Sequence, residues 1–404
     1  VSSTPSRTKR NFIGFPAFGG GNDAREQAPS VTTNTSNQFN LSLNLNWELD
    51  LWGRIAAGRS AAQASFEAAE LDYKAARASL AGSVARAWFA LSEAQAQLQL
   101  AEQAQQTFAE TANAVRDRFK AGADQSGAAS QLRLSETDVA TAKANLAERQ
   151  LAVQAAARQL EILLGRYPAG SMKGSATLPA VPRSAPTGLP SELLLRRPDI
   201  LAAERRHAAQ GKRVTEGWKS LYPRFTLTGS AGQSSQELVD ILKSDFGVWQ
   251  IAGNIVQPIL AGGRIIGEIK VYYAEEKETL GQLESTLLKA FGEVEGALAS
   301  ERDLATRETA VLETLRLAKE AEQSARTDYR NGVGDILTVL AAQGRRVTTE
   351  AQSITLHRLR LDNRINLHLA LGGDFKINGK IPDLPVAERR SALKTWWKRQ
   401  KKTP

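Results

Sequence analysis

Cysteine is absent from this chain of 404 residues, which excludes disulfides, thiol chemistry and cysteine–zinc sites and is compatible with an oxidising compartment. Aromatic residues are scarce at 6%, and mean hydropathy is −0.33. Alanine, glutamine, glutamate and arginine fill whole segments instead, so ordinary aromatic-rich cores are not expected. No run of 18 or more apolar residues exists, so no helix is expected to span a membrane. The N-terminal stretch "VSSTPSRTKRNFIGF" lacks an apolar signal core and a cleavage site. Either the protein stays inside the cell or its numbering begins after an export signal.

Signals for chemistry are equally sparse. His207, His357 and His368 lie far apart without ligand spacing. There is no P-loop, no G-x-S-x-G and no dinucleotide fingerprint. "FGGGND" (18–23) reads as a flexible loop tip and "AEEKE" (274–278) as a solvated helix face. No catalytic residue, cofactor or metal site is expected, and the chain does not read as an enzyme. The net charge of +9 sits largely in "RRSALKTWWKRQKK" (389–402), and no basic stripe interleaved with aromatics runs through the body. A nucleic-acid partner is therefore not expected; the tail reads as solvated or membrane-surface.

The 14 prolines are placed unevenly: none lies between Pro29 and Pro168, or between Pro258 and Pro382. Interior proline breaks a helix, so these windows leave room for long ones. In the first, Phe66, Tyr73, Leu80 and then Val84, Leu91, Leu98 recur at seven-residue spacing, as in a coiled-coil seam. Such a helix of residues 55–119 makes a rod of about 100 Å. The second window repeats the first. "WGRI" (52–55) matches "GGRI" (262–265) and "DRFKAG" (117–122) matches "TDYRNG" (327–332), both at an offset of 210, while "ILLG" (162–165) matches "LALG" (369–372) at 207. That is internal duplication.

"QFNLSLNLNWELD" (38–50) alternates strictly. Phe39, Leu41, Leu43, Leu45, Trp47 and Leu49 share one face of a strand, and Asn40, Ser42, Asn44, Asn46 and Glu48 the other. A second strand is read over 245–265, with Trp249, Ile251 and Ile255 on one side. "RFTLTGSAG" (224–232) is a third, and "RNFIGFPAF" (10–18), weakened by Pro16, is the fourth. Loops of 19–37 and about 233–245 would join them into two hairpins. Packing on a soluble core is the commoner fate of such alternation, but no other segment offers a compact core. Four strands are too few to close a barrel and open edges cannot sit in lipid, so several copies would close one together. The apolar side then faces lipid and the asparagine side a watery lumen.

At this point the residues resemble a known family. "GLPSELLLRRPDILAAERR" (188–206) is similar to the hallmark of the TolC-type outer-membrane factors, in the branch of efflux lipoproteins that partner RND pumps. "LNWELDLWGR" (45–54), "RNGVGDILTVLAAQ" (330–343) and "ALGGDF" (370–375) resemble the same branch, in the family order, over roughly residues 10–375. The resemblance implies a mostly α, internally duplicated protein with a small β part. Its long helices would build a periplasmic α-barrel. Its four strands per protomer would contribute to a twelve-stranded transmembrane β-barrel in a homotrimer. It implies a gated, passive outer-membrane exit duct for small toxic compounds in a Gram-negative bacterium, fed by a periplasmic adaptor and an inner-membrane pump of RND type. A type I protein-secretion conduit is the runner-up, and a non-conducting trimeric coiled-coil scaffold the alternative from another class.

The organisation expected is a first repeat over 1–180, a second over 181–375 and a basic tail over 376–404. The first holds a hairpin about 10–50, a long helix about 54–119 and a return helix about 129–164. The second holds a helix about 191–221 with Ser191 as N-cap, a hairpin about 224–260, a long helix about 264–330 and a return helix about 335–371. The first repeat reads as N-terminally incomplete, without the export signal, the lipid-bearing cysteine of the branch or a helix before its first strand.

By the resemblance, the turns at 120–127 and 331–335 lie at the periplasmic aperture. Phe119, Tyr329, Arg330, Asp124 and Asp335 are the aperture candidates; Ala121, Gly122, Gly332, Val333 and Gly334 are candidates for docking the adaptor. The glycines equally suit turns that need positive φ. Family members often carry aspartates where this chain has Ala128 and Ala341. Asp124 and Asp335 are the nearest acids, either a substitute acidic ring that attracts cations or solvated loop carboxylates.

Overall fold

The computed structural model describes residues 2–13, 31–121, 128–182 and 196–373. In chain order these form β1 (Ser2–Ile13), β2 (Val31–Leu49), α1 (Arg54–Lys120), α2 (Ala128–Leu163), α3 (Pro198–Lys219), β3 (Arg224–Ser235), β4 (Gly247–Val256), α4 (Arg264–Arg330) and α5 (Ile336–Ala370). Two single-turn helices, Leu238–Asp240 and Ser244–Phe246, lie between β3 and β4. Both proline-free windows hold 67-residue helices, α1 and α4. The mostly helical fold with one small sheet agrees with the class expected. Two compact units result, Val1–Ala64 with Ala208–Glu278 and Ser65–His207 with Thr279–Pro404.

The first unit holds an antiparallel sheet in the order β1-β2-β3-β4. Its first strand is not where alternation put it. β1 occupies Ser2–Ile13 rather than 10–18, and residues 31–37, expected as loop, open β2. Both errors have one cause: these segments have no apolar face to betray them. Threonines with extended preference alternate in "VTTNTSN", and β1 pairs along it from Ser2↔Ser42 to Ile13↔Val31. Pro5 is tolerated because β1 is an outer strand of the sheet and its missing N–H breaks no inner ladder. Beyond β2, the Asp50 carboxylate accepts from the Ile55 and Ala56 amides at 3.0 and 2.7 Å and starts α1. Trp52 stacks on Tyr222 with ring centroids 5.2 Å apart, and its indole N–H donates to the Pro223 carbonyl at 2.9 Å. The strand-to-helix corner of one half is thereby fixed to the helix-to-strand corner of the other.

In the second unit, the described residues of the helices converge in four small apolar clusters rather than one core. Ile200 and Ala203 of α3 pack with Leu283, Leu287, Ala290 and Val294 of α4 and Ala370 of α5. Leu71 of α1 meets Leu201 and Ala202, and Leu91 meets Ala157 and Leu160 of α2. The heptad seam expected along α1 is only partly internal. Leu91 is fully buried, but Phe66, Tyr73 and Leu80 are 68%, 62% and 49% exposed. The face of α1 buried over this stretch is built from Ala61, Ala64, Ala68 and Leu71, whose small side chains allow close helix approach. The large residues stand beside it.

Three of these helices end alike. Gly165, Gly332 and Gly372 have φ of 69°, 76° and 71°. Each donates to the carbonyl three residues back, and the following residue donates five back, as Gly332 does to Tyr329 and Val333 to Asp328. This is the Schellman cap. After the α2 cap, buried Glu161 accepts from the amides of Gly170, Ser171 and Met172 at 2.7, 2.9 and 3.1 Å and pins the connecting segment. Gly122, Asp124, Ser191, the loop over 19–30 and the tail over 376–404 lie outside the described residues.

Candidate functional site

Register fixes the two faces of the sheet, because residues directly opposite one another share a face. One face carries the rows Leu43–Ala231–Trp249, Leu45–Gly229–Ile251, Trp47–Leu227–Gly253 and Leu49–Phe225–Ile255. The other carries Asn44–Ser230–Gln250, Asn46–Thr228–Ala252 and Glu48–Thr226–Asn254. Leu43, Leu45, Trp47, Trp249, Ile251 and Ile255 are all exposed. Phe39, Leu41 and Leu49 of the same face are half-buried, as are Asn40, Ser42 and Glu48 of the opposite one; Asn44 and Asn46 are exposed. From Phe39 to Leu49 the apolar band runs about 33 Å along β2, or about 25 Å high at the tilt of a membrane barrel. Glu48 is held by Arg54 at 2.8 Å, at the edge of the band. Toward β1 the opposing residues turn polar: Arg7 faces Asn37 and Lys9 faces Thr35.

The ends of α1 and α4 and the starts of α2 and α5 come together in the second unit. Val115, Ala325, Ile336, Val339 and Leu340 form their core, with Leu132 and Tyr329 packed against it. Tyr329 is half-buried, whereas Phe119, Arg330, Ala121, Gly332, Val333 and Asp335 are exposed. Gly334 fits closely against the helix end: a Cβ there would stand 2.9 Å from the Tyr329 amide nitrogen. Asp335 is the N-cap residue of α5, yet its side chain makes no capping hydrogen bond. Ala128 opens α2 half-buried and Ala341 is exposed on α5.

Arg118 stands beside the aperture candidates and was not singled out from the sequence. Its guanidinium lies 4.2 Å from the centre of the Tyr329 ring and donates to the Tyr329 carbonyl at 3.1 Å, tying α1 to α4. The signal was available only through the duplication, since Phe119 and Tyr329 are equivalent and Arg118 adjoins the first. The internal charges of the helical unit were also missed. Glu301 and Glu308 of α4, both buried, face Arg360 and Arg364 of α5, with Arg364–Glu301 at 2.8 Å and a close Arg360–Glu308 pair. Burial pushes the Glu308 carboxyl up, but hydrogen bonds from Arg360 and His357 outweigh it and hold it below the usual glutamate value. His357 joins this ladder through Nδ1 to Glu308 at 2.7 Å and Nε2 to the Pro179 carbonyl at 2.9 Å. The hallmark Arg197-Pro198-Asp199 is likewise a brace: Arg197 pairs with Asp199 and Glu293 at 2.8 and 2.7 Å and donates to the Ala370 carbonyl.

A four-stranded sheet with one lipid-compatible face, together with paired 67-residue helices, defines a channel-forming outer-membrane protein. The model of the outer membrane efflux protein family matches residues 14–166 and 189–373, and the chain belongs to that family. It is 28% identical over 345 residues to the cation efflux system protein CusC of Escherichia coli O6:H1, covering 85% of this chain and 74% of that protein. To the pyoverdine export outer membrane protein OpmQ of Pseudomonas putida it is 31% identical over 363 residues, covering 89% and 75%. A crystal structure of CusC superposes with a TM-score of 0.78 at 25% identity over 92% of this chain and 83% of that one. The chain is thus the outer-membrane exit duct of a tripartite efflux system, in the outer membrane of a Gram-negative bacterium.

Proposed function

We propose that three copies close one twelve-stranded barrel, with the Leu43, Leu45 and Trp47 face against outer-membrane lipid and the Asn44, Asn46 and Glu48 face lining water. Phe39, Leu41 and Leu49 complete the lipid side, and Asn40 and Ser42 the lumen side. The pump feeding the duct is of RND type, and the cargo is small toxic compounds rather than secreted protein. The turns at 120–127 and 331–335 form the periplasmic aperture, where Gly332, Val333 and Gly334 meet the adaptor together with Ala121 and Gly122. Asp335, and Asp124 beyond the described residues, supply acidic charge there. The two repeats over 1–180 and 181–375 give the trimer its six-fold-like helical wall.

The observation that carries the barrel reading is the register, which gathers Phe39, Leu41, Leu43, Leu45, Trp47, Leu49, Phe225, Leu227, Trp249, Ile251 and Ile255 onto one half-buried to exposed face, with Val248 and Val256 on the other. Arginine placed on a lipid face near the midplane costs about 2–4 kcal/mol, while lumen substitutions tune selectivity. Leu45→Arg is therefore expected to deplete heat-stable trimers from the outer membrane. Asn44→Arg is expected to assemble normally and to shift bilayer conductance toward anions. The reverse pattern would place the faces the other way round, and equal tolerance of both would remove the barrel.

A further inference from the structure

The apolar band stops at Phe39, but the strands continue past it. On the same face the next rows outward are Arg7–Asn37 and Lys9–Thr35, and all four residues are exposed. Residues directly opposite share a face, so Arg7 and Lys9 stand on the side of Leu43, Leu45 and Trp47. Arg10, opposite Asn34, stands on the other side with Asn40 and Asn44. The β2–β3 ladder begins at Phe39↔Ser235, and among the described residues β2 pairs beyond it with β1 alone.

Chain direction gives the side of the membrane. β2 runs from this ribbon through the band to Leu49, and the chain then enters α1 at Arg54. The helical barrel extends into the periplasm, so the ribbon lies on the outer side. At about 3.4 Å per residue and the roughly 45° tilt of a membrane barrel, the Arg7 and Lys9 rows stand about 5 and 10 Å above Phe39. The band already spans the roughly 25 Å of a lipid-facing wall. The headgroup layer beyond it is about 5–8 Å thick, and long basic side chains bend their charged ends toward it. Charge in the ribbon is of one sign: Ser2–Ile13 and residues 31–42 hold Arg7, Lys9 and Arg10 and no aspartate or glutamate. In the β3–β4 connection, Asp240 is paired with Lys243 at 2.5 Å.

We propose that Arg7 and Lys9 bind the phosphates of outer-leaflet lipid from the outer wall of the barrel. The proposal rests on the barrel reading above, which makes the Leu43, Leu45 and Trp47 face the lipid side. Arg7 offers a planar fork to two phosphate oxygens and Lys9 a compact positive charge about 7 Å further along the strand. Asn37 and Thr35, exposed beside them, add neutral hydrogen-bonding groups. In a trimer these pairs recur around the rim, so the apolar band fixes the depth of the barrel from below and the phosphate contacts fix it from above.

The test is retention of radiolabelled lipid A, with its phosphates or enzymatically dephosphorylated, by the full-length protein purified in mild detergent. Wild type is expected to hold the phosphorylated form far better; equal retention of the two forms would overturn the proposal without any variant. A basic residue at an anionic surface contributes about fivefold, so Arg7→Gln with Lys9→Gln should retain at least tenfold less phosphorylated lipid A. The exchange Arg7→Lys with Lys9→Arg should restore most of it, and Arg10→Gln should match wild type. Undiminished retention by the double glutamine variant would overturn the assignment. So would displacement of the lipid by millimolar inorganic phosphate, which would make the site one for a free anion. Loss in Arg10→Gln alone would mean that the faces are reversed, a failure of the barrel reading that Leu45→Arg and Asn44→Arg report independently.

Discussion

Single side chains in this protein do much of the fastening that a conventional core would do. Glu161 is one: three amides and the Ser171 hydroxyl converge on its carboxylate. The Gly170 amide leads in holding its carboxyl below the usual glutamate value, against a smaller opposing push from burial. A depressed carboxyl contributes stability that is complete above its unfolded value and is lost as pH falls through the folded one. The clamp is therefore intact at neutral pH and released only in acid. Glu161→Gln is expected to speed tryptic cleavage at Arg166 and Lys173 at pH 7, and the difference from wild type should shrink as the pH is lowered below the ordinary glutamate range. Arg118 works by contact with a ring and a carbonyl of another helix. Arg118→Ala removes about 1 kcal/mol of cation–π attraction from that tie. If the aperture reading holds, the variant should show more frequent openings in planar bilayers, whereas unchanged conductance would leave the tie merely structural.

Elements show why some of the fold was legible in the sequence and some was not. Long helices announced themselves by what the windows around Tyr73 and Leu283 exclude, since a single interior proline would have ended either. β2 and β3 were visible because one face is apolar. β1 was not, because Ser2–Ile13 places polar residues at both parities, Thr8 and Arg10 at one and Arg7 and Lys9 at the other, and is a strand by virtue of its partner. The seam of α1 misled for a related reason: alanines, not the conspicuous Phe66 and Tyr73, make the close helix contacts. Two glycine substitutions test element geometry. A Cβ at Gly232 would stand 2.1 Å from the Leu41 carbonyl oxygen, whereas one at Gly253 meets nothing within 4 Å. Gly232→Val should disrupt β2–β3 pairing and lower the yield of outer-membrane trimer, with Gly253→Val close to wild type. Gly332→Ala forces an L side chain to a φ of 76° and should cost about 1–2 kcal/mol, read as a lower thermal midpoint of the purified trimer.

For the whole molecule, the duct was legible in the duplicated strand and long-helix pattern, and the efflux family to which the chain belongs bears that reading out. The candidate aperture was legible as position, through Tyr329, Gly332 and Asp335, but not as interaction, because Arg118 reaches Tyr329 from a helix 211 residues away in sequence. If Asp335 sets the acidic charge of the entrance, Asp335→Asn should move the reversal potential in a potassium chloride gradient toward zero. An unchanged potential would mean that the carboxylate faces bulk solvent.

The sheet ends on two outer strands, β1 and β4, and among the described residues neither side of the four is closed by the chain itself. In genetic terms the wall is owned in common. A chain with sound helices but one spoiled strand still enters assemblies and ruins its companions there. Such an allele should be dominant over a normal copy in the same cell, whereas one that never folds should be recessive.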